Sequence, residues 1–163
     1  MNKELHELLD LCTKNCEEQE LAALKEILHA LNKKNKESGI GFIGTLLQME
    51  RRIDGEMCEI TIPINPIIYN SLGIVHGGIT ATLIDSAMGS LANSLVPKGY
   101  ATVTTQMNVH YIGPGTGESL RCEARLEHKG TKTLVLSATV YRSDGKKVAT
   151  GSGSFFMIEK NNR

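Results

Sequence analysis

Hydrophobic and polar positions change their period three times along this chain, from helical to strand-like, back to helical, and to strand-like again. Residues 2–36 hold no glycine or proline, and apolar side chains recur at Leu5, Leu8, Leu9 and Cys12, then at Leu21, Leu24, Ile27, Leu28 and Leu31. This spacing predicts two amphipathic helices, or one kinked helix, with a charged break at "TKNCEEQE". Beyond Gly39, "IGFIGTLLQMER" and "GEMCEITIPI" predict two strands meeting at Asp54-Gly55, a dipeptide suited to tight hairpins. Residues 66–78, rich in Pro, Asn, Ser and Gly, predict a loop. Residues 79–95 then repeat apolar side chains at Ile84, Ala87, Met88, Leu91 and Leu95, with Ile79, Ala81, Leu83 and Ala92 widening the stripe. A helix this apolar is buried on most sides, and "VPKG" stops it.

The remainder alternates with period two. In "ATVTTQMNVHYI" the row Val103, Thr105, Met107, Val109, Tyr111 opposes the row Thr102, Thr104, Gln106, Asn108, His110. "ESLRCEARLEH", "TKTLVLSATVYR" and "KKVATGSGSFFMI" follow as an antiparallel meander, with turns at Lys129-Gly130 and "SDGK". The predicted order β-β-α-β-β-β-β is an α+β chain whose antiparallel sheet must curl around its single buried helix. A helical arm over residues 1–37 precedes this domain, which spans 38–160.

Charge and cysteine usage narrow the function classes. The 163 residues carry 18 basic and 18 acidic side chains, so the basic footprint of a nucleic-acid binder is missing. Near-zero net charge also removes self-repulsion and favours an oligomer. Cys12, Cys16, Cys58 and Cys122 form no metal-like spacing and read as reduced thiols. The N-terminus is too acidic for a transit peptide and lacks the apolar core of a signal peptide. No run approaches the ~18 apolar residues of a membrane span, so a cytoplasmic protein without membrane partners is expected.

One acidic residue stands out. Asp85 lies among Ile79, Leu83, Ile84, Ala87 and Met88, where an unpartnered charge is costly. Upstream, "NSLGIVHGG" brings Asn70, Gly73, His76, Gly77 and Gly78 to the start of the apolar helix. Such a loop delivers backbone N–H groups to a helix end that favours negative charge. Asn70 alone could equally fix a turn through its side chain. "GPGTGE" lies between strands with no helix following, so it reads as a turn and not a phosphate cradle. His6, His29, His110 and His128 show no ligand spacing.

The constellation Asn70, Gly73, His76, Gly77, Gly78 and Asp85, followed by "QMNVHYIGP" and the meander, resembles the hotdog-fold acyl-CoA thioesterases of the phenylacetate-pathway (PaaI-like) type over about residues 40–158. The resemblance implies a curled antiparallel sheet around one long central helix, with the N-terminal helices as an extension. It implies that the Gly77 N–H and the Asn70 amide polarise a thioester carbonyl while His76 shapes the loop. It further implies that Asp85 acts as general base or as nucleophile, with a hydroxyl from the following strand beside it. Thr104 fits that position best, with Thr105 in reserve. Gly78, Leu72, Ile74, Met88 and Thr105 are expected to contact substrate, within an aliphatic pocket that also draws on Ile67, Leu83 and Leu91. Coenzyme A would be part of the substrate, with no separate cofactor and no metal. Lys98, Arg121, Lys129, Lys132 and Arg142 are candidate cations for its phosphates.

Gly77 and Asp85 are eight residues apart, ~12 Å along a helix at 1.5 Å per residue. A base must come within hydrogen-bond reach of the reacting atoms, directly or through one water. In the family the site lies between two subunits, so a homodimer or dimer of dimers is expected. Two other functions fit a hotdog domain. A hydratase or dehydratase would need a different His and Asp or Glu motif, which this sequence lacks. A non-catalytic acyl-CoA sensor would use the arm as effector, but six lysines against eight acidic residues there argue against DNA.

Overall fold

The structure, a computed structural model, describes residues 2–34 and 41–160. The expected boundary between 37 and 38 lies outside the described residues. The chain divides into two compact units, residues 1–48 with 65–67, and residues 49–64 with 68–163.

The first unit holds α1 (Lys3–Asn15), α2 (Glu18–Lys34) and a short α3 (Phe42–Leu46). The break between α1 and α2 falls at Cys16 and Glu17, inside the charged stretch. There the Glu20 carboxylate reaches back to accept from the Glu17 N–H at 3.0 Å, a cap that starts α2. No residue of α1 is buried. Residues 42–46 are helical where the sequence predicts strand. Five residues, Phe-Ile-Gly-Thr-Leu, are too few to show a period that separates the two, and Thr45 Oγ1 closes the turn by donating to the Gly41 carbonyl at 3.0 Å.

The second unit is one six-stranded antiparallel sheet around α4 (Gly77–Ser94). The strands are β1 (Glu50–Asp54), β2 (Met57–Pro63), β3 (Tyr100–Tyr111), β4 (Ser119–Lys129), β5 (Thr133–Arg142) and β6 (Lys147–Glu159), in spatial order β1-β2-β4-β5-β6-β3. This is the hotdog arrangement. The β1–β2 hairpin turns at Gly55, whose φ of +55° suits glycine, and β4 to β6 form the expected meander.

The core lies where α4 packs on β2 to β6. Leu83, Ile84, Ala87, Met88, Leu91 and Ala92 of α4 are sealed against Ile60, Ile62, Leu120, Cys122, Leu134, Leu136 and Phe155. Gly151 and Gly153 of β6 make this approach possible. A Cβ on Gly151 would stand 2.9 Å from Ile84 Cγ2, and one on Gly153 would stand 3.0 Å from Met88 Cε.

The two sheet edges differ in character. β1 is five residues, exposed along its whole length, and reads "ERRID". β3 is twelve residues and contains no Asp, Glu, Lys or Arg. A short charged edge resists pairing, whereas a long uncharged one invites it.

Candidate functional site

The loop 70–78 is built from its own backbone and two side chains. Gly73, at φ +71°, closes a turn in which its N–H donates to the Asn70 carbonyl at 3.0 Å. Asn70 Oδ1 accepts from the Leu72 N–H at 2.9 Å and the Ile74 N–H at 3.4 Å. Asn70 thus does fix the turn through its oxygen, and its amide nitrogen has no acceptor among the described residues. The exit is pinned where the His76 N–H donates to the Ile68 carbonyl and the Val75 N–H to the Gly115 carbonyl, at 2.8 and 2.9 Å.

His76 is the N-cap of α4. Its Nδ1 accepts from the Gly78 N–H at 2.9 Å, so that nitrogen carries no proton and the ring works as a structural acceptor. Gly78 lets the ring sit close, since a Cβ there would lie 3.0 Å from Nδ1. With the Gly78 N–H committed to His76, the Gly77 N–H is the helix donor that has no acceptor among the described residues.

Tyr111 was not anticipated. Its Oη donates to the Gly77 carbonyl at 2.9 Å, and its ring lies where a Gly77 Cβ would touch it at 3.4 Å. Tyr111, Gly113, Pro114 and Gly115 wall a cleft of about 370 Å³ opposite Asn70, Ile74 and Gly77. The "GPG" segment is therefore a cleft wall as well as a turn. The available signal was its position directly after β3.

Asp85 sits further along α4, half-buried, and Thr104 Oγ1 donates to its Oδ1 at 2.8 Å. That bond orients the carboxylate and leaves Oδ2 open. Thr105 does not share this task, because its Oγ1 donates to the Ser154 carbonyl of β6 at 3.0 Å. Thr105 is the extra residue of a β-bulge, since the β3–β6 register shifts between Thr104 and Gln106.

The structure therefore gathers Asn70, Ile74 and Gly77 at one cleft and places Asp85 with Thr104 about two turns along α4. Leu72 is 78% exposed beside the loop. Met88 is fully buried against β6, and Leu83 and Leu91 are fully buried in the core. Among the candidate cations, Arg121 is held by Glu59 and Glu123 and lies over the Tyr141 ring. Arg142 is held by Asp144 and Thr116, and Lys129 Nζ donates to the Leu95 carbonyl at 2.6 Å. Lys132 lines a second cleft, of about 460 Å³, with Tyr100 and Phe156.

Comparison with known proteins places these observations. The thioesterase superfamily model matches residues 72–149. The crystal structure of the BH2602 protein from Bacillus halodurans with CoA superposes with a TM-score of 0.85 at 37% identity, covering 90% of this chain and 98% of that one. Human acyl-coenzyme A thioesterase 13 is 29% identical over 133 residues, 79% of this chain and 90% of its own. The E. coli PaaI protein from the phenylacetic acid degradation operon shares the fold, with a TM-score of 0.69 at 20% identity over 84% of this chain and 96% of that one.

Proposed function

The chain belongs to the thioesterase superfamily and is a thioester hydrolase, and we propose that it cleaves acyl- or aryl-CoA to the free acid and CoA with Asp85 activating the attacking water. The observation that carries this assignment is the 2.8 Å bond from Thr104 Oγ1 to Asp85 Oδ1. A carboxylate held by one oxygen presents the other to a water in a fixed direction, which is what a general base requires.

The second half of the chemistry is charge on the carbonyl oxygen. As water adds, that oxygen becomes an oxyanion, and donors fixed in advance stabilise it. The Gly77 N–H and the Asn70 amide are the two donors, and both border the same cleft. His76 acts by holding Gly78. Collapse of the tetrahedral adduct expels the CoA thiolate, and the proton taken up by Asp85 passes to it. Coenzyme A enters as part of the substrate and no other cofactor takes part.

Gly77 and Asp85 are ~12 Å apart along α4, so one thioester does not reach both within a single subunit. The uncharged β3 edge supports a homodimer in which one subunit supplies Gly77 and Asn70 and the other supplies Asp85 and Thr104, with pairing of two such dimers as the larger assembly. Lys98 and Lys132 are the cations we assign to the CoA phosphates, because Arg121, Arg142 and Lys129 are already engaged. Among the described residues no helix is long and apolar enough to cross a membrane.

The test is thiol release from phenylacetyl-, hydroxybenzoyl-, butyryl-, octanoyl- and palmitoyl-CoA, with Asp85→Asn alongside and a protein-only blank for the four cysteines. Hydrolysis that collapses in an intact Asp85→Asn dimer supports the assignment. Binding without turnover in both proteins would reject it in favour of an acyl-CoA sensor.

A further inference from the structure

We propose that Tyr111 is a positioning residue that holds the oxyanion donor in place by gripping, together with His76, the peptide plane between Gly77 and Gly78. The inference rests on the proposed role of the Gly77 N–H.

A single peptide unit is held at both ends. Its carbonyl oxygen, on Gly77, accepts from Tyr111 Oη at 2.9 Å, and its N–H, on Gly78, donates to His76 Nδ1 at 2.9 Å. These two groups point in opposite directions from a trans peptide, so the plane cannot rotate without breaking one of them. The preceding plane is anchored as well, because the His76 carbonyl accepts from the Ile79 and Thr80 N–H groups at 2.9 and 3.2 Å. Gly77 lies between two fixed planes, and the direction of its N–H is fixed with them.

Such a grip is needed because the donor is a glycine. Gly77 and Gly78 leave the cleft open to a ligand, but they also widen the backbone's conformational choice. A donor that wanders must be reoriented during the reaction, and preorganisation is what makes an oxyanion site effective. The hydroxyl of Tyr111 adds polarisation. Donation into the carbonyl strengthens the N–H at the other end of the same amide as a donor to His76. The aromatic ring lies against the Gly77 Cα, where a Cβ would meet it at 3.4 Å, and so narrows the backbone's room to move.

Tyr111→Phe keeps the ring and removes only the hydroxyl. The expected result is a kcat about tenfold lower, a KM within about twofold of the parent, and a melting temperature lowered by no more than about 4 °C. His76→Ala should lower kcat in the same way, and the double variant should be scarcely worse than the weaker single one, because both side chains hold one amide. A parental kcat in Tyr111→Phe, a loss carried by KM, or fully multiplicative losses in the double variant would each overturn the proposal. Should Tyr111→Phe fail to fold, amide exchange in the unmodified chain decides. Protection of the Gly78 N–H by more than about tenfold supports the grip, and exchange at the intrinsic rate refutes it. If the unmodified chain hydrolyses no thioester, the functional assignment fails on that result alone, while the exchange experiment still tests the grip.

Discussion

Thr104 and Tyr111 lie seven positions apart on β3, yet both turn their hydroxyls to α4, one to Asp85 and the other to the Gly77 carbonyl. On a regular strand an odd separation puts two side chains on opposite faces. The bulge between Thr104 and Gln106 inserts one residue and exchanges the faces beyond it. The carboxylate and the helix N-terminus are thus both served by one strand because of a single unpaired threonine.

The two adjacent threonines should separate cleanly on mutation. Thr104→Val is expected to lower kcat about tenfold, and Asp85→Asn about a thousandfold, in steady-state thiol release. Thr105→Val should leave kcat within about twofold and cost about 1 kcal/mol, read as a melting shift of about 2–4 °C. A larger catalytic loss in Thr105→Val than in Thr104→Val would reverse the assignment.

Placing charge on the β3 edge should dissolve the assembly and the activity together. Val103→Lys with Gln106→Lys adds two charges to an edge that has none. Sedimentation is expected to show monomers with unchanged circular dichroism, and hydrolysis should fall by at least about a hundredfold. A monomer that retains full turnover would exclude a site shared between subunits.

The glycines of β6 and α4 make opposite predictions. Gly151→Ala places a methyl 2.9 Å from Ile84 Cγ2 and 3.1 Å from the Asn108 carbonyl, and should destabilise by about 1–3 kcal/mol in urea unfolding. Gly89→Ala meets only Phe155 Cε1 at 3.5 Å, inside a helix, and should stabilise by up to about 1 kcal/mol. Equal effects from the two would contradict the close helix–sheet approach at Gly151.

Stability should decline in alkali through the buried thiols. Burial pushes Cys58 from the ordinary 9.0 up to about 11 and raises Cys122 as well. A raised thiol pKa means the unfolded chain loses its proton first. The native state therefore loses stability as pH rises through 9.0 toward about 11, with no effect from these groups below that window. Thermal melts at pH 7 to 11 would measure this, and Cys58→Ala should flatten the decline. In the native protein a thiol reagent should reach Cys12 and Cys16 and spare Cys58 and Cys122.

Much of this was legible in the residues, for a reason that differs between elements. α4 and the long strands β3 to β6 follow from period alone, because long elements repeat their pattern often enough to declare it. The loop 70–78 is legible because glycines and an asparagine at those spacings serve few other purposes. Residues 42–46 misled because a run as short as Phe-Ile-Gly-Thr-Leu fits strand and helix equally. α4 is apolar on nearly every side, so its stripe alone does not say which part faces the sheet and which a cleft. The bulge leaves no mark in "TVTTQM", where alternation simply continues on paper. Tyr111 was hidden by the same fault, since uninterrupted alternation sets it with Thr105 and against Thr104.

In the proposed homodimer, the unlike edges of the sheet would also determine where association ends. When β3 of one molecule pairs with β3 of a second, each contributes its single receptive margin, and β1, with its "ERRID" side chains, becomes the border on both sides. The contact is self-complementary and uses itself up. A chain with two receptive margins could extend indefinitely into a ribbon; the proposed homodimer would instead be a sheet of finite width, with no growing end.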